Sequence, residues 1–220
     1  MCNLTCVALM LGLATPEPAQ SKDHLAGLRK KLASPFSSDV TAGANGLAKL
    51  GADALPAVPD LAAALKKAKF DSERAALASA LQKVVGDARA TVPGLRADLR
   101  KAKGQRKAAI EKRLGEIRSA TTDAVTALAD ALENKAKFKD ERLAIARALG
   151  SFGPDAKPAV KALAAALKTG FSENQIAAAQ ALGQIGPAAK DAIPALTDAS
   201  KTGFLDVRKA AEAALAKIKK

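Results

Sequence analysis

Few residues of this chain could do chemistry. Its one histidine, His24, follows Asp23, and its two cysteines, Cys2 and Cys6, lie within the first six residues. Catalysis draws on His, Cys, paired carboxylates or a metal cluster gathered in a concave site. One His beside one acid supplies neither an acid–base pair nor a ligand set. The sequence has no Gly-x-x-x-x-Gly-Lys, no Gly-x-Ser-x-Gly and no zinc spacing. No catalytic residue, no cofactor and no metal site are therefore assigned, and no enzyme activity is expected. The one dense constellation is cationic. "RADLRKAKGQRKAAIEKR" (96–113) carries Arg96, Arg100, Lys101, Lys103, Arg106, Lys107, Lys112 and Arg113 against Asp98 and Glu111. Such a cluster is chemistry for holding anions.

The whole chain leans the same way. Its 220 residues include 35 Lys and Arg against 22 acids, a formal charge of +13. That balance favours polyanions as partners and says nothing of fold. There is no Trp and no Tyr, so bases have little to stack on, and contact with nucleic acid would be to backbone phosphate and strongly salt-dependent. A second explanation covers part of the charge. Lys66, Lys168 and Lys201 fall where helices end, and cations there complement the helix dipole. It fits Arg106 and Lys107 poorly, because they fall where a helix starts. Other starts carry acids, as at Asp71 and Glu73, Asp140 and Glu141, and Glu173.

The elements that must position these residues are helical. About half the residues are apolar, alanine is abundant, and runs of β-branched residues are lacking, a helical composition. "LTCVALMLGLA" (4–14) is an apolar run too short to span a bilayer. Gly12 and Ala14 suit a signal peptidase, although a basic start is missing. Residues 1–20 are read as a leader. The chain is expected to be exported (periplasmic or secreted) if it is cleaved and cytoplasmic otherwise, and not an integral membrane protein. A disordered or helical extension is the alternative. Both cysteines fall in this leader, leaving the remainder without thiols.

An internal repeat organises residues 21–220. Leucine recurs at Leu47, Leu81, Leu114, Leu149, Leu182 and Leu215, spaced 34, 33, 35, 33 and 33. Phenylalanine recurs at Phe36, Phe70, Phe138, Phe171 and Phe204, broken only at Lys103. Val58, Val92, Val125, Val160 and Ile193 form a third series, each followed three residues later by leucine. Each unit reads as two amphipathic helices: an A helix from the Phe past the Leu, and a B helix carrying the Val or Ile. Gly153-Pro154 and Gly186-Pro187 close A helices, since glycine accepts the left-handed conformation and proline opens the next helix. Ser172 reads as an N-cap, and Phe171 and Phe204 as residues that dock the next helix into the core. The Lys-Thr-Gly-Phe at 168–171 and 201–204 is then a junction between helices rather than a motif. The pattern predicts an all-α, right-handed α-solenoid of about twelve helices. It has five two-helix repeats and half-repeat caps at 21–34 and 204–220, with no second domain.

"LGSFGPDAKPAVKAL", "LGQIGPAAKDAIPAL" and "LDVRKAAEAAL" resemble the short HEAT repeat of the phycobilin-lyase type. The match is strongest over 138–220, moderate over 36–100 and weakest in the third unit, where "LGEIRSATTDAV" lacks the Gly-Pro. The resemblance implies that Asp-Val-Arg packs between neighbouring helices, a structural ladder at Arg74, Arg142 and Arg208, with Gln175 and Lys107 departing from it. It also implies that B helices line a concave groove. Counting from the Val or Ile, the helical step then places Asp60, Ala97, Asp130, Ala165 and Asp198 on that groove, along with Ala127 and Ala162. The leading expectation is a non-catalytic scaffold for another protein or peptide. A polyanion-binding protein using 96–113 is the alternative, and a phycobilin-lyase-like enzyme a remote one.

Overall fold

The computed structural model describes residues 18–134, 139–169 and 171–219. The proposed leader falls largely outside the described residues, as do Phe138 and Gly170. The helices are α1 (Pro18–Leu32), α2 (Ser37–Leu50), α3 (Val58–Lys67), α4 (Asp71–Ala90), α5 (Val92–Leu99), α6 (Gly104–Asn134), α7 (Lys139–Ser151), α8 (Val160–Ala166), α9 (Ser172–Ile185), α10 (Ile193–Thr202) and α11 (Leu205–Ile218). Three 3-10 segments, Gly51–Ala57, Gly153–Ala159 and Gly186–Ala192, turn A helices into B helices. There is no strand among the described residues. The fold is an all-α solenoid of two helical layers.

Glycine explains where units turn. Gly51, Gly153 and Gly186 each lie four residues after a series leucine and adopt φ of 54°, 54° and 69°, open to glycine and costly for other residues. In the second and third units that position is Val85 and Arg118. Neither can take the turn, and both helices run on. The A helix of the second unit, α4, is 20 residues long. The A and B helices expected for the third unit are one helix, α6, of 31 residues.

This fusion removes one unit's worth of chain from the stack. A single helix cannot supply two antiparallel neighbours, so only the second half of α6 lies in the B layer, between α3 and α8. The A layer runs α2, α4, α7, α9, α11. Side chains record the skip. Regular neighbours pair across one repeat, as Arg29 with Asp60, 31 residues on, at 2.5 Å, and Lys139 with Glu173, 34 residues on, at 2.6 Å. Across the break the separation doubles: Arg74 reaches Glu141, 67 residues on, and Arg89 reaches Asp155, 66 residues on, at 2.8 Å.

The core follows the repeat elsewhere. Leu47, Leu81, Leu149 and Leu182 are fully buried, as are Leu61, Leu128, Leu163 and Leu196. The displaced B helix, α5, has no buried residue. Its Val92 and Leu95 are half-buried. From Thr91 to Ala109 no side chain is buried; burial returns at Ile110, and the common core resumes at Ile117.

The phenylalanines correct an expectation. Phe36, Phe70, Phe171 and Phe204 do not dock into the core; they are 67%, 57%, 60% and 76% exposed. Each is itself the N-cap residue of the following helix, so its side chain leaves the helix before the buried stripe begins. Ser172 is accordingly the first helical residue and not the cap. At α4, Glu73 accepts from the backbone N–H of Phe70 at 3.2 Å and of Lys69 at 3.0 Å, satisfying helix-end donors. The sixth phenylalanine, Phe152, is fully buried, with the Arg89 guanidinium 5.8 Å from its ring centre.

Candidate functional site

The arginine expected to lie between helices does so at Arg74. Its guanidinium is buried, donates to the equally buried Glu141 carboxylate, and also reaches Asp71 at 2.5 Å and the Ala68 carbonyl at 2.9 Å. Burial works against the charge, but Glu141 and then Asp71 outweigh it, and Arg74 titrates above its ordinary range. Arg142 is half-buried and donates to Thr169 Oγ1 at 3.3 Å. Arg208, on the last helix, is exposed. Lys139 and Glu173 pair on the surface. Their hydrogen bond raises the lysine and lowers the carboxylate.

Units alternate A to B at one edge of the solenoid and B to A at the other. The B-to-A edge carries Phe36, Phe70, Phe171 and Phe204. Phe36 and Phe70 cap neighbouring A helices, as do Phe171 and Phe204. Within each pair the step is about one helix spacing of 8–10 Å, and α7 stands between the two pairs. Beside these pairs are small repeat-related hollows. One, of ≈ 340 Å³, is lined by Leu32, Ala64 and Phe70 with Arg29 and Lys67. Its counterpart of ≈ 520 Å³ is lined by Leu167, Ala199 and Phe204 with Lys168. Leu32 and Leu167 occupy one repeat position, as do Ala64 and Ala199.

The cationic cluster lies at the opposite edge. There the end of α4, the whole of α5 and the first half of α6 form a helical hairpin that extends past the A-to-B turns. With 1.5 Å rise per residue, the part of α6 before Ile117 spans roughly 20 Å. Arg96, Arg100, Lys101, Lys103, Arg106, Lys107 and Lys112 are exposed along it. Their acids hold them loosely: Arg106 and Asp98 are 3.9 Å apart, Lys107 and Glu111 3.8 Å. Arg113 is half-buried at the base, donating to the Ala52 carbonyl at 3.2 Å.

These two-helix units match a family model for HEAT repeats over residues 125–216. Over that stretch the chain carries HEAT repeats. No curated protein matches the chain. Among solved structures, an engineered protein is similar at 20% identity, covering 89% of this chain and 98% of that one with a TM-score of 0.41.

Of the expected groove residues, Asp60, Asp130, Ala165 and Asp198 lie on the B-layer helices α3, α6, α8 and α10. Ala97 sits on α5, outside the stack. Asp60 is held by Arg29 at 2.5 Å, and Asp130 lies 3.9 Å from Lys66. Ala165 and Asp198 are exposed on α8 and α10, while Ala127 and Ala162 are buried against neighbouring helices. Sequence reasoning missed the phenylalanine edge although the series itself was plain. An apolar residue at constant spacing reads as core, and only its cap position places it outside. Among the described residues no helix is long and apolar enough to cross a membrane, and no group of three or more His, Cys, Asp or Glu could hold a metal ion.

Proposed function

We propose that the chain is a non-catalytic scaffold that binds a partner protein along the B-to-A edge. The carrying observation is the row of Phe36, Phe70, Phe171 and Phe204, each more than half exposed and recurring with the repeat. Large aromatics arrayed on one edge are the side chains that dominate protein interfaces. The lysines and arginines beside them favour a partner segment that is acidic as well as apolar. HEAT repeats generally serve as protein-interaction scaffolds and are typically non-enzymatic, which agrees. The test is quantitative affinity capture with the wild type and a Phe36→Ser, Phe70→Ser, Phe171→Ser, Phe204→Ser variant. Specific captures should be lost in the variant while its thermal unfolding is unchanged. Equal capture by both would overturn the reading.

A second reading has its own observation. The hairpin holds seven exposed cations with only loose acid partners, an arrangement suited to a polyanion. Duplex DNA or heparin should then bind with an affinity that falls steeply between two salt concentrations. Arg100→Glu, Arg106→Glu, Lys107→Glu should abolish that binding without affecting the phenylalanine edge. Export is proposed on the apolar run 4–14; an intact Met1 on the mature protein would contradict it.

A further inference from the structure

A cleft of ≈ 640 Å³ lies where the hairpin leaves the solenoid. It belongs to neither the phenylalanine edge nor the hairpin tip, and it exists because Arg118 stands where other units have a turning glycine. The α6 helix therefore runs on past the 3-10 segment Gly153–Ala159, packing against it. The cleft opens between α6, the α4–α5 junction, and Pro154 and Asp155 at the start of that segment. Arg89, Arg96 and Arg118 reach the cleft from three helices, and Val92, Leu114 and Ile117 line its apolar part.

The three arginines differ in commitment. Arg89 is held by Asp155 at 2.8 Å and the Ser151 carbonyl at 3.2 Å, and lies over Phe152. It is a fixed wall of the cleft. Arg96 and Arg118 make no ion pair or hydrogen bond through their side chains among the described residues. Thr121 and Thr122 also line the cleft but donate their hydroxyls to the Ile117 and Arg118 carbonyls, so they offer a ligand no proton. The available donors are two guanidinium forks, whose planar geometry matches carboxylates. Asp155, the one acid in the lining, is already paired with Arg89.

We infer that this cleft binds an acidic peptide segment in which two carboxylates flank an apolar side chain. The carboxylates meet Arg96 and Arg118, and the apolar residue packs on Val92, Leu114 and Ile117. Its volume falls within the range of ordinary ligand sites. A nucleic-acid or polysaccharide backbone would leave the apolar floor of Val92, Leu114 and Ile117 unused. Charge and shape thus favour peptide.

Fluorescence polarisation with a labelled, end-blocked Glu-Leu-Glu peptide tests this on the full chain. Comparators are Gln-Leu-Gln, Glu-Gly-Glu and a heparin hexasaccharide as competitor. The wild type should bind Glu-Leu-Glu at least about tenfold more tightly than either altered peptide. Arg96→Ala with Arg118→Ala should weaken binding by a similar factor. Lys101→Ala with Lys103→Ala, at the hairpin tip, should leave it unchanged, as should the four Phe→Ser substitutions, which separates this site from the edge scaffold. Far-UV circular dichroism checks that each variant is folded. Three results would each overturn the inference: no binding of Glu-Leu-Glu, equal affinity for Glu-Gly-Glu, or an equal loss in the hairpin-tip variant. Either of the last two would reduce the effect to charge alone.

Discussion

Arg74 and Glu141 form a buried ion pair although 67 residues, two repeat lengths, separate them. That relationship shows that the A helix of the second unit is neighbour to the A helix of the fourth. The unit between them has lost its place in the A layer. Removing the guanidinium takes the countercharge from a buried carboxylate, which costs about 3–5 kcal/mol. Arg74→Met should therefore lower the urea midpoint strongly. Arg74→Met with Glu141→Met should recover most of the loss, because two apolar side chains suit the site. Additive losses in the double variant would mean the two residues are not in contact.

Two glycines should respond in opposite directions. Gly186 has φ of 69° with no atom near where a Cβ would go, so Gly186→Ala carries only the conformational cost, about 1–2 kcal/mol. Gly86 lies inside α4 with equally open surroundings, and Gly86→Ala should stabilise by up to about 1 kcal/mol. Thermal unfolding of both variants checks the pair. Destabilisation by both would place a turn at Gly86 and contradict the continuous α4.

Asn174 is 2% exposed, and neither its side-chain oxygen nor its nitrogen has a hydrogen-bond partner. Its position in the unit is held by Glu73 and Glu141, which find partners, and by the buried Val207. Unsatisfied buried polar groups cost about 1–3 kcal/mol each. Asn174→Val should raise the unfolding temperature by a few degrees, on the order of 1 kcal/mol. A fall in melting temperature would mean that Asn174 is satisfied in solution.

Much of this architecture is legible in the residues. The leucine series marks the core, and Gly153-Pro154 and Gly186-Pro187 mark turns. The displaced unit is legible only in retrospect. Val85 and Arg118 occupy the turning position, and neither tolerates positive φ, so both helices had to continue. Periodicity averages over units and is blind to the loss of two successive turns. The sequence cluster at 96–113 stood out by charge, but its projection from the stack depends on which helices pair at long range. The exposed phenylalanines escaped for a different reason: apolar character predicts burial, whereas backbone position decides it. At Arg118 both effects meet, because one substitution removes a turn and supplies a guanidinium to the cleft that results.

The claim that the phenylalanine edge is an interaction surface is tested most directly by site-specific photo-crosslinking in the source cell extract. A benzophenone side chain at Phe171 or Phe204 should give discrete adducts of the same partner, and one at the exposed Glu212 of α11 should give none. Loss of the Phe204 adduct on Phe171→Ser would show that the two rings act on one partner. Equal labelling from Glu212, or no adduct from either phenylalanine position, would contradict the assignment of this edge.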